Sequence, residues 1–488
     1  MSERDLLVEL RNRGLRAWQA TFVASFLNAD PSAVQLLAAP TGTGKMVATV
    51  AAMRELAERG AKRILVLTPA SLCQVWRTRI GEVQSQLPVY SVARHSYREM
   101  EAAVPVGHSP WAANGVFVIS QDFAKQHDIV AGLSTIAWDL VVVDEAHRFV
   151  ARQRATLMEQ LVAAGVVRRL LLLTATPLPA LDYWLRPSPT QPPPFSTPPQ
   201  VTSWYGVLRN WDGSVVEQPR VDWNFVRYTR GADEVHFLTQ LLEVTPVLEV
   251  AGGGYQLLPK LLIQRAASST FAAEQSLQRL RYTLRSRVTN ITAPIEADSE
   301  AAADTDDLET EGKTNASTVA DNSSALQLVE RCLDALESVN TDEKLRELKV
   351  LVRSIAVAYP EPPLRICILS RYVDTVAYLH SALQNADTRV FRITGRDNFA
   401  DRAAIVEEFR RTGGLLVATD GGSEGIELRD VTHVIHYDVP RTPMIMERRQ
   451  GRVDRYGQTT PCTMYVFRDN SGAIPFESEM IDRLAAVL

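Results

Sequence analysis

Leu36-Leu-Ala-Ala39-Pro-Thr-Gly-Thr-Gly-Lys45-Met46 is the stretch that decides how this chain folds. A short apolar run leads into a glycine turn, and residues 46–59 continue with helical spacing. Strand, glycine turn and helix in that order read as a phosphate-binding loop. Gly42 and Gly44, alternating with Thr41 and Thr43, let backbone N–H groups approach phosphate oxygens at a helix N-terminus. Lys45 places a cation against the β and γ phosphates. Ala39 stands where a first glycine is common, and Met46 stands where Ser or Thr would give a hydroxyl to Mg²⁺. A thioether is a poor ligand for a hard cation, so either water completes the shell or metal binding is weaker. Taken alone, such a loop also reads as an ordinary strand-to-helix turn.

Downstream, Val141-Val-Val-Asp144-Glu145-Ala146-His147 puts two carboxylates at the end of a buried strand, where α/β proteins place ligands. Asp144 is suited to the Mg²⁺ shell and Glu145 to polarising an attacking water; phosphoryl transfer needs little more than positioning and charge. Near the other end, Arg448-Arg-Gln-Gly-Arg452-Val-Asp-Arg455-Tyr-Gly-Gln458 spaces arginines along an expected helix. Arg452 and Arg455, three apart, share one face and suit the charge developing on a triphosphate. A solvated basic face is the plain alternative, and Asp454 could neutralise one of them.

Short apolar runs repeat around these motifs. Arg63–Thr68, Val116–Ser120, Leu140–Asp144 and Arg169–Thr174 precede a proline-rich stretch over 186–199. Arg365–Ser370, Val390–Thr394, Leu415–Thr419, Val434–Tyr437 and Thr463–Phe467 come later. Such runs suit strands buried on both faces of a parallel sheet, and helical spacing between them predicts layered α/β domains. The expected organisation is a first α/β lobe over 1–185, a Pro-rich linker over 186–220, a helical connecting region over 221–290, an acidic disordered loop over 291–324 and a second α/β lobe over 325–488.

Composition restricts the partners. With 52 basic and 57 acidic side chains the net charge is −5, so nucleic-acid binding must rest on a local groove and not on bulk charge. The four scattered cysteines form no CxxC pair, which argues against a zinc site or disulfide framework. No apolar run approaches the ~20 residues of a membrane helix, and the N-terminus lacks a signal pattern, so a cytoplasmic protein without a membrane partner is expected.

In this order the motifs resemble those of superfamily-two helicases, specifically the Snf-type DNA translocase branch, with closest likeness to RapA-like bacterial ATPases. Leu15-Arg-Ala-Trp-Gln19 resembles the adenine-reading glutamine motif, and Thr68–Trp76 and Val118–Phe123 resemble strand-contacting motifs. Leu173-Thr-Ala-Thr-Pro177 resembles the segment that couples hydrolysis to movement. Leu369–Thr375 and Ala418–Ile426, including Gly425, match the second lobe, and the trailing Gly457-Gln458 favours this branch over strand-separating helicases. Gln264-Arg-Ala-Ala-Ser-Ser269 is similar to a connecting helix of RapA-like proteins. Arg448 replaces the glutamine that commonly opens the arginine motif.

The resemblance implies two RecA-like lobes, each a mainly parallel sheet with flanking helices, joined by a helical insertion and flexible linkers. It implies ATP and Mg²⁺ as cofactors, with Gln19, residues 41–46 and Gly425 contacting the nucleotide. It also implies double-stranded DNA as partner, with phosphates held by Thr68, Ser71, Ser120, Ser370, Arg371 and Thr419. These side chains follow a backbone without reading bases; each reads equally well as a helix cap or strand-end hydrogen bond. Little sequence follows the arginine motif here, so no room for the accessory domains of RapA-like enzymes is expected, and a possible protein partner stays unidentified. A nucleotide-binding scaffold without hydrolysis, suggested by Met46, and an RNA helicase are the alternatives.

Overall fold

The computed structural model describes residues 3–83, 86–105, 107–147, 152–175, 200–203, 210–215, 221–251, 258–288, 319–360, 363–384, 388–426, 428, 431–440, 443–453 and 461–485. The chain divides into two compact units, the first over residues 1–218 and the second beginning at 219. Each is built on its own parallel sheet, the arrangement of a RecA-like lobe.

In the first unit the strands are β1 (Gln35–Ala38), β2 (Arg63–Thr68), β3 (Val89–Val92), β4 (Gly115–Ser120), β5 (Leu140–Val143), β6 (Leu170–Thr174) and β7 (Gln200–Ser203). They form one sheet in the order β3-β4-β2-β5-β6-β1-β7, every pair parallel. Alternate residues of each apolar run face opposite ways. Ile64, Val66, Val116, Val118 and Val142 join Trp18, Phe22, Met53 and Trp76 in one core. Leu65, Leu67, Phe117, Ile119, Val141 and Val143 join Trp111, Trp138 and Leu161 in another. Two covered faces explain why these strands are apolar throughout. Parallel pairing sends the carboxyl ends of β1, β2, β5 and β6 to one edge, where the glycine loop and Asp144 lie.

The second unit contains β8 (Val221–Tyr228), β9 (Arg365–Ser370), β10 (Val390–Ile393), β11 (Gly414–Thr419), β12 (His433–His436) and β13 (Cys462–Asp469). Their order is β10-β11-β9-β12-β13-β8, again all parallel. Helices Ala232–Ala251, Leu258–Ser268, Thr270–Val288 and Val319–Glu337 accompany this sheet, and Phe237, Leu241, Leu277, Val329 and Cys332 give them a core of their own. Arg230 lies between sheet and helices: it donates to Asp469 at 2.8 Å, to Glu477 and the Ala267 carbonyl at 3.3 and 3.2 Å, and to Glu234. Burial of this cation is tolerated because every side of the guanidinium meets an acceptor.

The expected strands form, and three more join them. A helical connecting region was expected over 221–290; that segment opens with β8, which pairs along its whole length with β13, before its helices begin. β7 similarly lies within the expected linker and pairs with β1, and β3 flanks β4. The proline-rich run over 186–199 and most of the acidic loop over 291–324 lie outside the described residues.

Candidate nucleotide site

The glycine loop is shaped before any ligand arrives. Gly42 and Gly44 take φ of 78° and 97°, a left-handed region that glycine enters without a Cβ clash. Gly44 caps helix Lys45–Glu58. A Cβ on Gly44 would lie 2.5 Å from Gln19 Nε2, because that amide donates to the Gly44 carbonyl at 3.1 Å. Gln19 Oε1 in turn accepts from Arg16 N at 3.0 Å, and Arg16 donates to the Thr43 carbonyl at 3.4 Å. Gln19 is thus buried and bonded to the glycine loop. The Thr43 hydroxyl donates to Pro40 O at 2.8 Å, and Thr41 is half-buried in the turn. Lys45 Nζ folds back on the Ala39 and Pro40 carbonyls at 2.6 and 3.0 Å. These are neutral acceptors, so a phosphate oxygen offers the ammonium a stronger, charge-assisted bond. The Met46 side chain packs against the first core and has no position as a metal ligand.

Asp144 is the most tightly held carboxylate at this edge. Its Oδ2 accepts from Trp76 Nε1 at 2.8 Å and from the Thr68 hydroxyl at 3.2 Å; its Oδ1 accepts from Glu145 N at 3.0 Å. Its backbone is pinned as well, with Gln121 Nε2 donating to its carbonyl at 2.6 Å and its N–H donating to Leu67 O at 2.8 Å. Burial, then the adjacent Glu145 carboxylate, pushes Asp144 up to about 6; Trp76, Lys45 and Thr68 oppose this. A neighbouring cation would relieve that cost. Glu145 has φ 51°, the one positive φ at a non-glycine among the described residues. Strain of this kind marks positions held for function. Its carboxylate lies 3.4 Å from His147 Nδ1, and that nitrogen is also 3.2 Å from the Thr174 hydroxyl at the end of β6. The chain of contacts thus runs from the expected water-orienting carboxylate to the expected coupling segment.

The expected backbone-contacting side chains separate into groups. Thr68, Ser370 and Thr419 are buried. Thr68 serves Asp144; Ser370 donates to Asp438 Oδ2 at 2.6 Å; the Thr419 hydroxyl accepts from Gly422 N at 2.9 Å and Gly395 N at 3.2 Å. The Thr68 and Ser370 hydroxyls thus donate within the protein, while the Thr419 hydroxyl serves as an acceptor for two backbone N–H groups. Ser120 is half-buried and caps the short helix after β4 through Phe123 N at 3.0 Å. Ser71 is half-buried in the turn Ala70–Leu72. The Arg371 guanidinium is largely buried over the Tyr372 ring, 5.9 Å from its centroid, and the Arg371 backbone N–H donates to Asp438 Oδ2 at 2.6 Å.

Gly425 has φ 76° in the turn after residues 420–423, and Arg452 is half-buried on helix Pro443–Val453, whose Arg452 carbonyl accepts from Leu428 N at 3.2 Å. Arg455 and Gly457-Gln458 lie outside the described residues. Sequence reading missed Trp76, Gln121, Arg402 and Arg449. Arg402 donates to the Gly421 and Gly422 carbonyls at 3.4 and 3.2 Å, and Arg449 grips Asp420. Trp76, Gln121 and Arg449 stand inside quoted motif runs, but their partners are far away in the chain.

Asp144 and Glu145 fit a hard divalent cation: Asp144 is a buried carboxylate whose charge is raised in energy by its setting. Met46 does not fit. Among the described residues no three His, Cys, Asp or Glu side chains gather into a metal-binding group, which suits an ion held by one or two carboxylates, water and phosphate better than a protein cage.

The glycine loop, Asp144 and Glu145 share the carboxyl edge of the first unit's parallel sheet, and the second unit has a parallel sheet of its own. Residues 18–183 match the SNF2-related domain, and residues 343–457 match the helicase conserved C-terminal domain. The chain is 25% identical over 446 residues to the "Uncharacterized ATP-dependent helicase YqhH" of Bacillus subtilis (strain 168), across 88% of this chain and 71% of that protein. The crystal structure of the Pyrococcus furiosus Hef helicase domain aligns over 96% of this chain and 98% of its own, at 16% identity and a TM-score of 0.49. Two separate segments of the chain are thus similar to an SNF2-related domain and to a helicase conserved C-terminal domain, and the chain as a whole is similar to a Bacillus protein described as an ATP-dependent helicase. No helix among the described residues is long and apolar enough to cross a membrane.

Proposed function

We propose that this protein is an ATP-driven motor that moves along double-stranded DNA without separating its strands. The observation that carries the reading is the SNF2-related match over residues 18–183, which spans Lys45, Asp144 and Glu145. Glycine-loop N–H groups and Lys45 would bind the phosphates, and Glu145 would orient the attacking water, with His147 holding that carboxylate. Asp144 would hold magnesium, which supplies charge neutralisation to the phosphate oxygens when bound. Arg452 and Arg455 enter by resemblance, as cations for the triphosphate. Gly457-Gln458 favours duplex DNA over RNA, and Gln264–Ser269 favours a RapA-like relative. In the structure that hexapeptide braces the start of helix Val373–Leu383: Ser268 and Ser269 hydroxyls lie 2.7 and 2.9 Å from Thr375 Oγ1, and Arg265 pairs with Asp374. A cytoplasmic location accompanies this reading.

A second reading, a nucleotide-binding scaffold without hydrolysis, is favoured by Met46 alone. One experiment separates the readings. ATP hydrolysis is measured with duplex DNA, single strands and RNA, beside displacement of a third strand from a triplex and unwinding of a fork. Duplex-stimulated hydrolysis and triplex displacement with an intact fork are expected. Fork unwinding or stimulation by RNA alone would sink the duplex motor, and binding without turnover would favour the scaffold.

A further inference from the structure

We infer that Trp76, together with Thr68, is a positioning residue that aims a single oxygen of Asp144 at the nucleotide's divalent cation; this rests on the nucleotide-site reading above. A carboxylate oxygen has about two lone-pair sites. Asp144 Oδ2 has both taken, by Trp76 Nε1 at 2.8 Å and Thr68 Oγ1 at 3.2 Å. Oδ1 receives one donor, the Glu145 N–H at 3.0 Å, and keeps one site open. The carboxylate is therefore not a symmetric ligand. Its rotation is blocked by two donors on one oxygen, and the other oxygen alone can take a cation or its water.

The donors are rigid. Thr68 ends β2, Trp76 sits on helix Cys73–Val83 just after it, and both side chains are fully buried, the indole within the first core. An N–H on a wall of packed apolar atoms cannot follow a carboxylate that turns. The arrangement matters more here than where a loop hydroxyl helps bind the ion. Met46 brings no oxygen and packs on the core, so a metal here depends more on the carboxylate of Asp144. Orienting partners one step removed from a metal typically change its affinity by about 10- to 100-fold.

The test uses the full chain and N-methylanthraniloyl-ADP, whose fluorescence reports binding, titrated with Mg²⁺ from an EDTA baseline. Trp76→Phe keeps an aromatic ring and removes the N–H. We expect its metal-free nucleotide affinity to match wild type, and the Mg²⁺ concentration for half-maximal tightening to rise about 10- to 100-fold. Trp138→Phe is the control: it shortens an equally buried indole whose N–H goes to the Leu133 carbonyl, and its Mg²⁺ dependence should not move. If Trp76→Phe does not fold, Thr68→Val removes one donor from the same oxygen with almost no change in shape, and a rise of about tenfold is expected. An unchanged Mg²⁺ dependence in the folded variant, or an equal shift in Trp138→Phe, overturns the inference. So does a wild type that binds nucleotide equally with and without Mg²⁺. A wild type that binds no nucleotide in either condition instead overturns the nucleotide-site reading itself.

Discussion

The guanidinium of Arg449 meets the carboxylate of Asp420 in two hydrogen bonds, Nε to Oδ1 at 2.6 Å and Nη2 to Oδ2 at 2.7 Å. A third donor, Nη1, reaches the Asp438 carbonyl at 3.0 Å. One side chain thereby ties helix Pro443–Val453 to the turn after β11 and to the end of β12. The Arg449 side chain is only 3% exposed, so its charge has no water to fall back on. Arg449→Ala should destabilise the protein by about 3–5 kcal/mol, the usual cost of leaving one member of a buried pair alone. Arg449→Lys should recover only part of this, because an ammonium cannot reproduce the planar fork. Urea unfolding followed by circular dichroism measures both, and a loss below about 1 kcal/mol for the alanine variant would contradict this account.

Glu145→Gln keeps shape and loses charge. Its carboxylate is held against His147, which also touches Thr174. Turnover should fall by at least ~100-fold while ATP binding persists, as expected for a lost catalytic group at a proton or water step. Lys45→Ala should instead lose affinity. Nucleotide binding and hydrolysis measured on the same preparations distinguish the two, and equal turnover in wild type and Glu145→Gln would remove the enzymatic reading.

Met46→Thr replaces a core-packed thioether with the hydroxyl that glycine loops usually carry. The hard oxygen should lower the Mg²⁺ requirement for hydrolysis and raise the rate. Loss of packing on the first core should cost about 1 kcal/mol in the same variant. A magnesium titration of the hydrolysis rate, beside a melting curve, checks both signs; an unchanged requirement would mean that water already completes the shell.

His433 gives the second unit a pH-dependent stability. Burial lowers its pKa from about 6.5 to about 4, between the rings of Tyr359 and Tyr465. His436 is lowered as well, first by burial and then by Arg449. In the window between about 4 and 6.5 the unfolded chain binds the proton that the folded chain refuses, so stability is full above about 6.5 and declines as pH falls towards 4. Urea midpoints across that window should drop with pH, and His433→Phe should flatten the slope. An unaltered slope would show that other groups set the acid limb.

Central strands were readable because both of their faces are covered. Ile64–Leu67 and Val141–Val143 need no partner named in advance to announce burial. Three of the four edge strands, β3, β7 and β8, escaped. β8 is Val-Asp-Trp-Asn-Phe-Val-Arg-Tyr, a half-polar alternation that becomes a strand through pairing with β13. Its period of two was present in the sequence and was hidden by the helical character of residues 232–288.

The site was readable as a set of residue types, and less so as a set of contacts. Glycine's freedom at positive φ and the placement of Asp144 after three valines are local properties, so the loop and acidic strand end could be found from their neighbours in the chain. What each side chain does depends on register. Leu67 pairs with Val143, which sets Thr68 beside Asp144 as a donor to its carboxylate. Leu369 pairs with His436, and Ser370 accordingly meets Asp438. Trp76 reaches Asp144 across the same fold. The two layered α/β units and the glycine loop follow from the order of residues alone, because periodicity and glycine geometry act over a few residues. Which partners the Thr68 and Ser370 hydroxyls find is a matter of three-dimensional packing, because a hydrogen bond depends on ångström distances between strands that the chain order does not record.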